Sequence, residues 1–332
     1  MSTRQLKAVR VAGTGSYLPE RVVTNEDFRK AGLDTDDEWV RTRTGIRERR
    51  FARPDQAASD LALEACKRAL EAAEATVDSV DMIICATMTG DYVIPCTAAL
   101  LQRGLGAEKV GGFDLSAACS GFVLSMQTGA QFIQTGAAKR VLVVGTEKMS
   151  YVVDQTKRDT AVLFGDGAGA ALLEVDPTGQ SDILGLRNGL RGDHESLVVP
   201  SSGSRTPVTP ETIEKRLHLV HMKGRETFKF AVSTFVDLIE KTCADGGIKP
   251  EQLSIVVPHQ VNMRILEAAS ERCGVPISKM YLNIERVGNT SAASVGIALD
   301  EAVRGGKIRR GDLVLMVAFG AGLSWGSALL RW

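Results

Sequence analysis

The sequence predicts an α/β protein made of two similar halves, each a mixed β-sheet covered by helices. Three observations carry that reading. Helix and strand patterns alternate along the 332 residues. Several strands are apolar on both faces, as strands buried between helices are. Matched segments recur at offsets of roughly 155 to 170 residues, which is a two-fold duplication and not a short-period solenoid.

The first matched pair is 57–87 and 228–260. In the first, a helix pattern (Leu61, Leu63, Cys66, Leu70) leads through Val77-Asp78-Ser79-Val80 into the strand Asp81-Met82-Ile83-Ile84-Cys85-Ala86-Thr87. In the second, a helix (Phe230, Phe235, Leu238, Ile239) leads through Pro250-Glu251-Gln252-Leu253 into Ser254-Ile255-Val256-Val257-Pro258-His259. The second pair opens at Cys119 and at Gly288-Asn289-Thr290-Ser291. Each start is followed by a helix, a Gly- and Lys/Arg-containing loop, and a strand: Val141-Leu142-Val143-Val144-Gly145 in one half, Leu313-Val314-Leu315-Met316-Val317 in the other. The third pair, beginning Gly165-Asp166-Gly167-Ala168-Gly169 and Gly320-Ala321-Gly322-Leu323-Ser324-Trp325, closes each half. The turn-rich stretch 176–181 separates the halves, giving domains 1–175 and 176–332. A second irregular stretch, 192–212, reads as a long surface loop.

Composition narrows the function classes. Forty basic and 40 acidic residues cancel, which argues against a nucleic-acid binder held by a general field. No apolar run reaches spanning length, and Met1-Ser2-Thr3-Arg4-Gln5-Leu6-Lys7 lacks the apolar core of a signal peptide. The six cysteines have neither CxxC spacing nor disulfide-scaffold density, so a reducing cytoplasm is expected. Cys66 and Cys85 read as packing residues. No histidine or cysteine pair has metal-ligand spacing.

Cys119 carries the chemistry. The run Phe113-Asp114-Leu115-Ser116-Ala117-Ala118-Cys119-Ser120-Gly121-Phe122 places a thiol where an apolar-periodic helix begins. Unpaired N–H groups and the positive end of the helix dipole favour thiolate there, so a lowered pKa and acyl-transfer chemistry are expected. His259 directly follows a buried strand, where a side chain leaves the sheet toward a crevice; alone, it is equally a core residue. Asn289 alone is equally a helix N-cap. If the halves pack about a pseudo-two-fold axis, Cys119, His259 and Asn289 converge. Gly320-Ala321-Gly322 can present N–H groups to an oxyanion or make a plain tight turn. Gly13-Thr14-Gly15 lacks the third glycine and the following helix of a dinucleotide site. Trp39 and the basic run Arg41-Thr42-Arg43-Thr44-Gly45-Ile46-Arg47-Glu48-Arg49-Arg50 read either as a solvated loop or as a site for a phosphorylated ligand with an aromatic ring.

Together these residues resemble the β-ketoacyl-acyl-carrier-protein synthase III family of the thiolase superfamily. The resemblance covers nearly the whole chain: Gly13-Thr14-Gly15-Ser16-Tyr17-Leu18-Pro19-Glu20, Asp37-Glu38-Trp39, Arg43-Thr44-Gly45-Ile46-Arg47-Glu48-Arg49, Ala117-Ala118-Cys119-Ser120-Gly121-Phe122, Phe164-Gly165-Asp166-Gly167-Ala168-Gly169-Ala170, Val257-Pro258-His259-Gln260-Val261-Asn262, Gly288-Asn289-Thr290-Ser291-Ala292-Ala293-Ser294 and Trp325-Gly326-Ser327-Ala328-Leu329. It implies a thiolase-like αβαβα fold with Cys119 as acyl acceptor and His259 and Asn289 as its partners. Cys119 and Gly322 are then the oxyanion-hole donors. Trp39 and Arg158 sandwich the adenine of coenzyme A, with Arg43 and Thr44 nearby and Asn262 beside the pantetheine. Phe164 and Ile94 line the acyl pocket, and Lys229, Arg264 and Arg272 receive an acidic carrier protein. Thiolases, with a second catalytic cysteine near 319–326, and elongating synthases, with two histidines, do not fit this pattern.

The implied protein is a cytoplasmic homodimer that acts on acyl-CoA and malonyl-acyl-carrier protein, with no metal or redox cofactor, no nucleic acid and no membrane. An acetyl or other short primer is expected on Cys119, followed by decarboxylative Claisen condensation. Ile94 stands where some acetyl-selective members have phenylalanine, which leaves the primer length open. The alternatives are a starter-unit synthase or acyltransferase of secondary metabolism, and a binding module that has kept the fold and lost the chemistry.

Overall fold

A computed structural model of the chain describes residues 6–332; Met1 to Gln5 of the amino-terminal segment considered above lie outside it. Two sheets form. The first is five-stranded, in the order Val9–Tyr17, Gly167–Val175, Arg140–Glu147, Met82–Ala86, Gly111–Leu115. The second is four-stranded, in the order Asp182–Asp193, Gly322–Arg331, Leu313–Gly320, Ile255–Pro258. The orders match strand for strand. In each sheet the first three strands pair antiparallel, and the strand that follows a helical crossover pairs parallel. The fifth position of the second sheet is held only by a parallel bridge from Val256 to Met280.

Helices and sheets stack in five layers. Ala58–Ala72 covers the outer face of the first sheet; Gly121–Gln134 and Ser294–Arg304 lie between the sheets; Gly224–Asp245 and Met263–Cys273 cover the second. The sequence explains which helix goes where. Gly121–Gln134 is apolar or small nearly all round, and Phe122, Val123, Met126, Ala130 and Ile133 are buried against both sheets. Full burial of Phe122, Met126 and Ile133 contributes about 1.5–3 kcal/mol each. Ala58–Ala72 is amphipathic and buries one stripe, Leu61, Ala65, Cys66 and Ala69. The glycines of Gly13-Thr14-Gly15 serve this packing: a Cβ on Gly15 would stand 2.3 Å from the Ala65 carbonyl oxygen. Cys66 and Cys85 are fully buried.

The stretch 176–181 is a turn between Gly167–Val175 and Asp182–Asp193. The Asp176 carboxylate organises it by accepting from the backbone N–H groups of Thr178 and Ser181. The stretch 192–212 is more ordered than its composition suggests. Leu197–Val198 pairs antiparallel with His221–Met222, and Pro210–Glu214 forms a short helix capped by Thr209. No helix among the described residues is long and apolar enough to cross a membrane.

Candidate active site

Cys119 sits in a single tight turn, Ala118–Ser120, that leads directly into Gly121–Gln134. The matched turn of the other half, Ser291–Ala293, leads into Ser294–Arg304. Both turns open on a non-glycine residue in the left-handed region, Ala118 at φ 48° and Ser291 at φ 49°. Such residues cost on the order of 1 kcal/mol or more and persist where the surrounding structure fixes them. The turns touch, and the Cys119 thiol donates to Ser291 Oγ across 3.5 Å.

His259 leaves the end of Ile255–Pro258, with its backbone N–H on the Val317 carbonyl at 2.8 Å. Its Nδ1 lies 3.0 Å from Ser294 Oγ, which also accepts the Gln260 backbone N–H at 2.7 Å. The Phe319 ring meets the imidazole edge to face at 5.8 Å. Asn289 is fixed by its main chain: its N–H donates to the Leu163 carbonyl, and its carbonyl accepts from Gly165. Its Oδ1 accepts the Ser291 N–H at 2.9 Å, which leaves the amide Nδ2 free to donate.

Cys119, His259 and Asn289 line one cavity of about 140 Å³. The walls are apolar: Leu163, Phe164, Phe230, Phe319 and Leu323. Burial governs the electrostatics. It pushes the Cys119 thiol up to about 12, against a smaller opposing effect from the Ser291 hydrogen bond. The expectation of a lowered thiol pKa is therefore corrected: burial outweighs the hydrogen bonds that favour the thiolate. Burial also holds the His259 imidazole down to about 3, so the ring is neutral at physiological pH.

The other sequence-chosen residues divide. Phe164 and Asn262 line the cavity. Asn262 also caps Met263–Cys273 through Oδ1 and donates Nδ2 to the Arg43 carbonyl at 3.0 Å. Gly322 does not line the cavity; it starts the last strand opposite Asp193, while Gly320 and Ala321 are part of the cavity wall. Ala321 is the turn residue between two strands, and its N–H donates to no group among the described residues. Trp39, on Asp37–Thr44, lies under Arg158 at 4.3 Å and beside Arg43 at 4.6 Å. Arg158 is held there by the Asp34 carbonyl at 2.9 Å, so a purine between Arg158 and Trp39 requires the guanidinium to withdraw. Thr44 is buried, with its hydroxyl donating to the Val40 carbonyl and accepting from the Ile46 N–H, so it supports the helix end.

Ile94 is 85% exposed and does not line the cavity of its own chain. Lys229, Arg264 and Arg272 are exposed on the adjoining helices Gly224–Asp245 and Met263–Cys273. No group of three or more His, Cys, Asp or Glu side chains among the described residues is arranged to hold a metal ion. The sequence assigns no role to Ser291, to Ser294 or to Glu147, a fully buried carboxylate behind Ser291, and offers Ala321 only as part of its glycine run. The two serines stand inside quoted motifs, but nothing local to Glu147 marks it.

A duplicated five-layer α/β fold with a buried cysteine, histidine and asparagine in one apolar cavity defines the class of thiolase-like condensing enzymes. The family described as 3-oxoacyl-[acyl-carrier-protein] synthase III matches residues 113–192, and its C-terminal region matches 243–332. Beta-ketoacyl-[acyl-carrier-protein] synthase III of Caldanaerobacter subterraneus subsp. tengcongensis is 48% identical over 98% of both chains. Its Clostridioides difficile counterpart is 45% identical over 97% of this chain and 98% of that one. The crystal structure of 3-oxoacyl-[acyl-carrier-protein] synthase III from Aquifex aeolicus superposes with TM-score 0.90 at 44% identity, over 98% of this chain and 100% of that chain. The chain belongs to the β-ketoacyl-acyl-carrier-protein synthase III family.

Proposed function

We propose that this chain is the initiating condensing enzyme of fatty-acid synthesis, which loads an acyl group from acyl-CoA and condenses it with malonyl-acyl-carrier protein. The observation that carries this reading is the convergence of Cys119, His259 and Asn289 on one apolar cavity. Relatives bearing the synthase III name over nearly the full chain favour it over a starter-unit enzyme of secondary metabolism.

In the first half-reaction Cys119 Sγ attacks the thioester carbonyl, the C–S bond to CoA breaks, and free CoA thiol departs. In the second, malonyl thioester loses CO₂ and leaves an enolate. Ser294 Oγ takes the Gln260 N–H and turns its own proton to His259 Nδ1, so Nε2 carries the ring proton. Nε2–H of His259 and Nδ2–H of Asn289 are then two neutral donors for the enolate oxygen, strengthened by the dry surroundings. The enolate carbon attacks acyl-Cys119, and collapse of the tetrahedral intermediate releases β-ketoacyl product and Cys119. We assign the oxyanion donors as the N–H groups of Cys119 and Ala321, in place of Gly322. Thioester exchange and decarboxylation of this kind need no metal or redox cofactor.

We assign coenzyme A to the Trp39, Arg158 and Arg43 face, with Asn262 at the pantetheine channel, and the acidic carrier protein to Lys229, Arg264 and Arg272. The working form is a cytoplasmic homodimer. The open edge of Gly111–Leu115 and the exposed apolar side chains of Tyr92, Val93 and Ile94 support pairing with a second copy. The division into halves is placed at 176–181, giving 1–175 and 176–332. Intact-mass analysis after exposure to acyl-CoA tests the reading: one acyl adduct on Cys119, discharged as β-ketoacyl-carrier protein when malonyl-carrier protein is added. No adduct, or an adduct that malonyl-carrier protein does not discharge, overturns it.

A further inference from the structure

Behind the nucleophile runs a line of hydrogen bonds that the condensation chemistry does not use. Cys119 Sγ–H donates to Ser291 Oγ at 3.5 Å, and Ser291 O–H donates to Glu147 Oε1 at 3.3 Å. Glu147 is the last residue of Arg140–Glu147 and is completely buried. Its other oxygen accepts the hydroxyl of Thr89, whose proton is committed because the same hydroxyl accepts the Lys148 N–H at 2.8 Å. The Met88 N–H is shared between the two oxygens, at 3.2 Å to Oε2 and 3.3 Å to Oε1, and the Thr87 hydroxyl reaches Oε2 at 3.4 Å. The carboxylate is thus oriented from behind, with Oε1 facing the Ser291 hydroxyl. No cation among the described residues pairs with it. Lys148, next in sequence, sends Nζ to the carbonyls of Arg53 and Gln56 instead.

We propose that Glu147, acting through the Ser291 hydroxyl, is the proton acceptor that activates Cys119 for acylation. This deepens the proposed function and rests on that reading. As Sγ bonds to the acyl carbon, the thiol proton passes to Ser291 Oγ, and the Ser291 proton passes to Glu147 Oε1. When the C–S bond to CoA breaks, Glu147 returns its proton to Ser291, and Ser291 delivers one to the departing CoA sulfur. Charge and protons balance: one proton leaves Sγ, one ends on CoA, and Glu147 and Ser291 finish as they began.

The chemistry of the site calls for such an acceptor. A thiol pushed up to about 12 gives little thiolate by itself. His259, held near 3 by burial, is a poor base. Glu147, raised to about 7 by the same cause, is matched to proton transfer at neutral pH. The titratable groups that feel its charge are the thiols of Cys119 and Cys85, both neutral at that pH. The O–H···O link of 3.3 Å is long for its kind; catalytic hydrogen bonds commonly tighten only once substrate is bound.

Glu147 touches Ser291 and not the substrate, so it is a positioning and relay residue. Its test must separate relay from support of the 87–89 segment. The rate of Cys119 acylation by acetyl-CoA is measured by rapid-quench intact mass from pH 5.5 to 9.5 for the wild type, Glu147→Gln, Glu147→Asp and Ser291→Ala. In the wild type the rate should rise through about pH 7 and then level, because the ionised carboxylate is the active form. Glu147→Gln should lose the plateau and climb with hydroxide throughout. At pH 7.5 it should be slower by about 10²–10³-fold. Ser291→Ala, which keeps the carboxylate and cuts the line, should show the same profile. Glu147→Asp should restore a levelling profile. A Glu147→Gln or Ser291→Ala profile that keeps the wild-type shape, at whatever rate, overturns the inference. If Glu147→Gln does not fold, Ser291→Ala decides alone. Failure of the proposed function looks different: the wild type itself then takes no acyl group on Cys119.

Discussion

Gly320 lies directly against the backbone of Cys119: a Cβ added to Gly320 would stand 2.6 Å from the Cys119 nitrogen and 3.0 Å from the Ala118 Cβ. Neither neighbour can yield, since Ala118 is already held in the left-handed region and Cys119 opens a helix packed between two sheets. Gly320→Ala is therefore expected to displace the nucleophile turn and to spoil the Cys119 N–H as an oxyanion donor. Losing one such donor costs about 10²–10³-fold. Acylation and condensation should both fall by that order, with a lowered Tm from the overpacking. Rapid-quench acylation and a thermal melt check this; wild-type rates in Gly320→Ala would place the oxyanion elsewhere.

His259→Ala and Asn289→Ala should damage condensation and largely spare acylation, because the enolate exists only in the second half-reaction. Each should cost about 10²–10³-fold in condensation. The pH dependence separates the two groups further. His259 is held at about 3, so its neutral form is present from pH 5 upward and its titration should impose no limb there. Measuring burst acylation and steady-state condensation separately over pH 5–9 decides the assignment. Equal losses in both steps would move His259 to the acylation machinery.

The fold was readable because its elements are local and repeated. Apolar periodicity marked Ala58–Ala72 and Gly121–Gln134, and the repeated strands fixed which segments are equivalent. Cys119 was readable because a thiol at a helix start has a local pattern. What that pattern misses is burial: the surroundings that raise the thiol to about 12 come from several segments far apart in the chain. Glu147 was invisible for the same reason, since Thr89 and Ser291 reach it from distances of 58 and 144 residues. The family resemblance points to Gly322 within a three-residue run whose positions look alike in sequence; the hairpin geometry puts Gly320 and Ala321, and not Gly322, on the cavity wall.

Trp39 and Arg158 make a closed stack, with the guanidinium 4.3 Å from the ring centre. Trp39→Ala removes the platform that a purine would share. A stacking contact of this kind is worth about 1–2 kcal/mol when partly desolvated. KM for acetyl-CoA should rise by about tenfold, while KM for malonyl-carrier protein stays within twofold by that assignment. A matched rise in both values would mean that the Trp39 face does not distinguish the two substrates.

Arg264 and Arg272 share Met263–Cys273 with Glu267 and Glu271, so the basic surface is interrupted and not uniform. Charge complementarity acts on encounter and fades with salt. Arg264→Glu should raise KM for malonyl-carrier protein several-fold at low ionic strength, with the difference shrinking at 0.5 M salt. Acetyl-CoA acylation should stay unchanged. An unaltered KM and salt dependence would put the carrier-protein site on another face.

Ile94 is the apolar side chain whose expected role fits the single chain least. It stands 85% exposed, beside Val93 at 95% and Tyr92 at 64%. Three consecutive large apolar side chains left in water are costly, and a second copy of the chain is the occupant the proposed homodimer supplies. On that reading Ile94 of one copy closes the acyl pocket of the other. Phenylalanine there would shorten the pocket, and isoleucine leaves it roomier. The discrimination should be modest, since one or two methylenes in an apolar pocket count for about 1–3 kcal/mol. Ile94→Phe should penalise butyryl-, isobutyryl- and octanoyl-CoA relative to acetyl-CoA without changing condensation once Cys119 is loaded. Sedimentation of the wild type supplies the second arm. A dimer with an unchanged chain-length profile in Ile94→Phe removes Ile94 from the pocket. A monomer that nevertheless turns over removes the partner subunit from the site altogether.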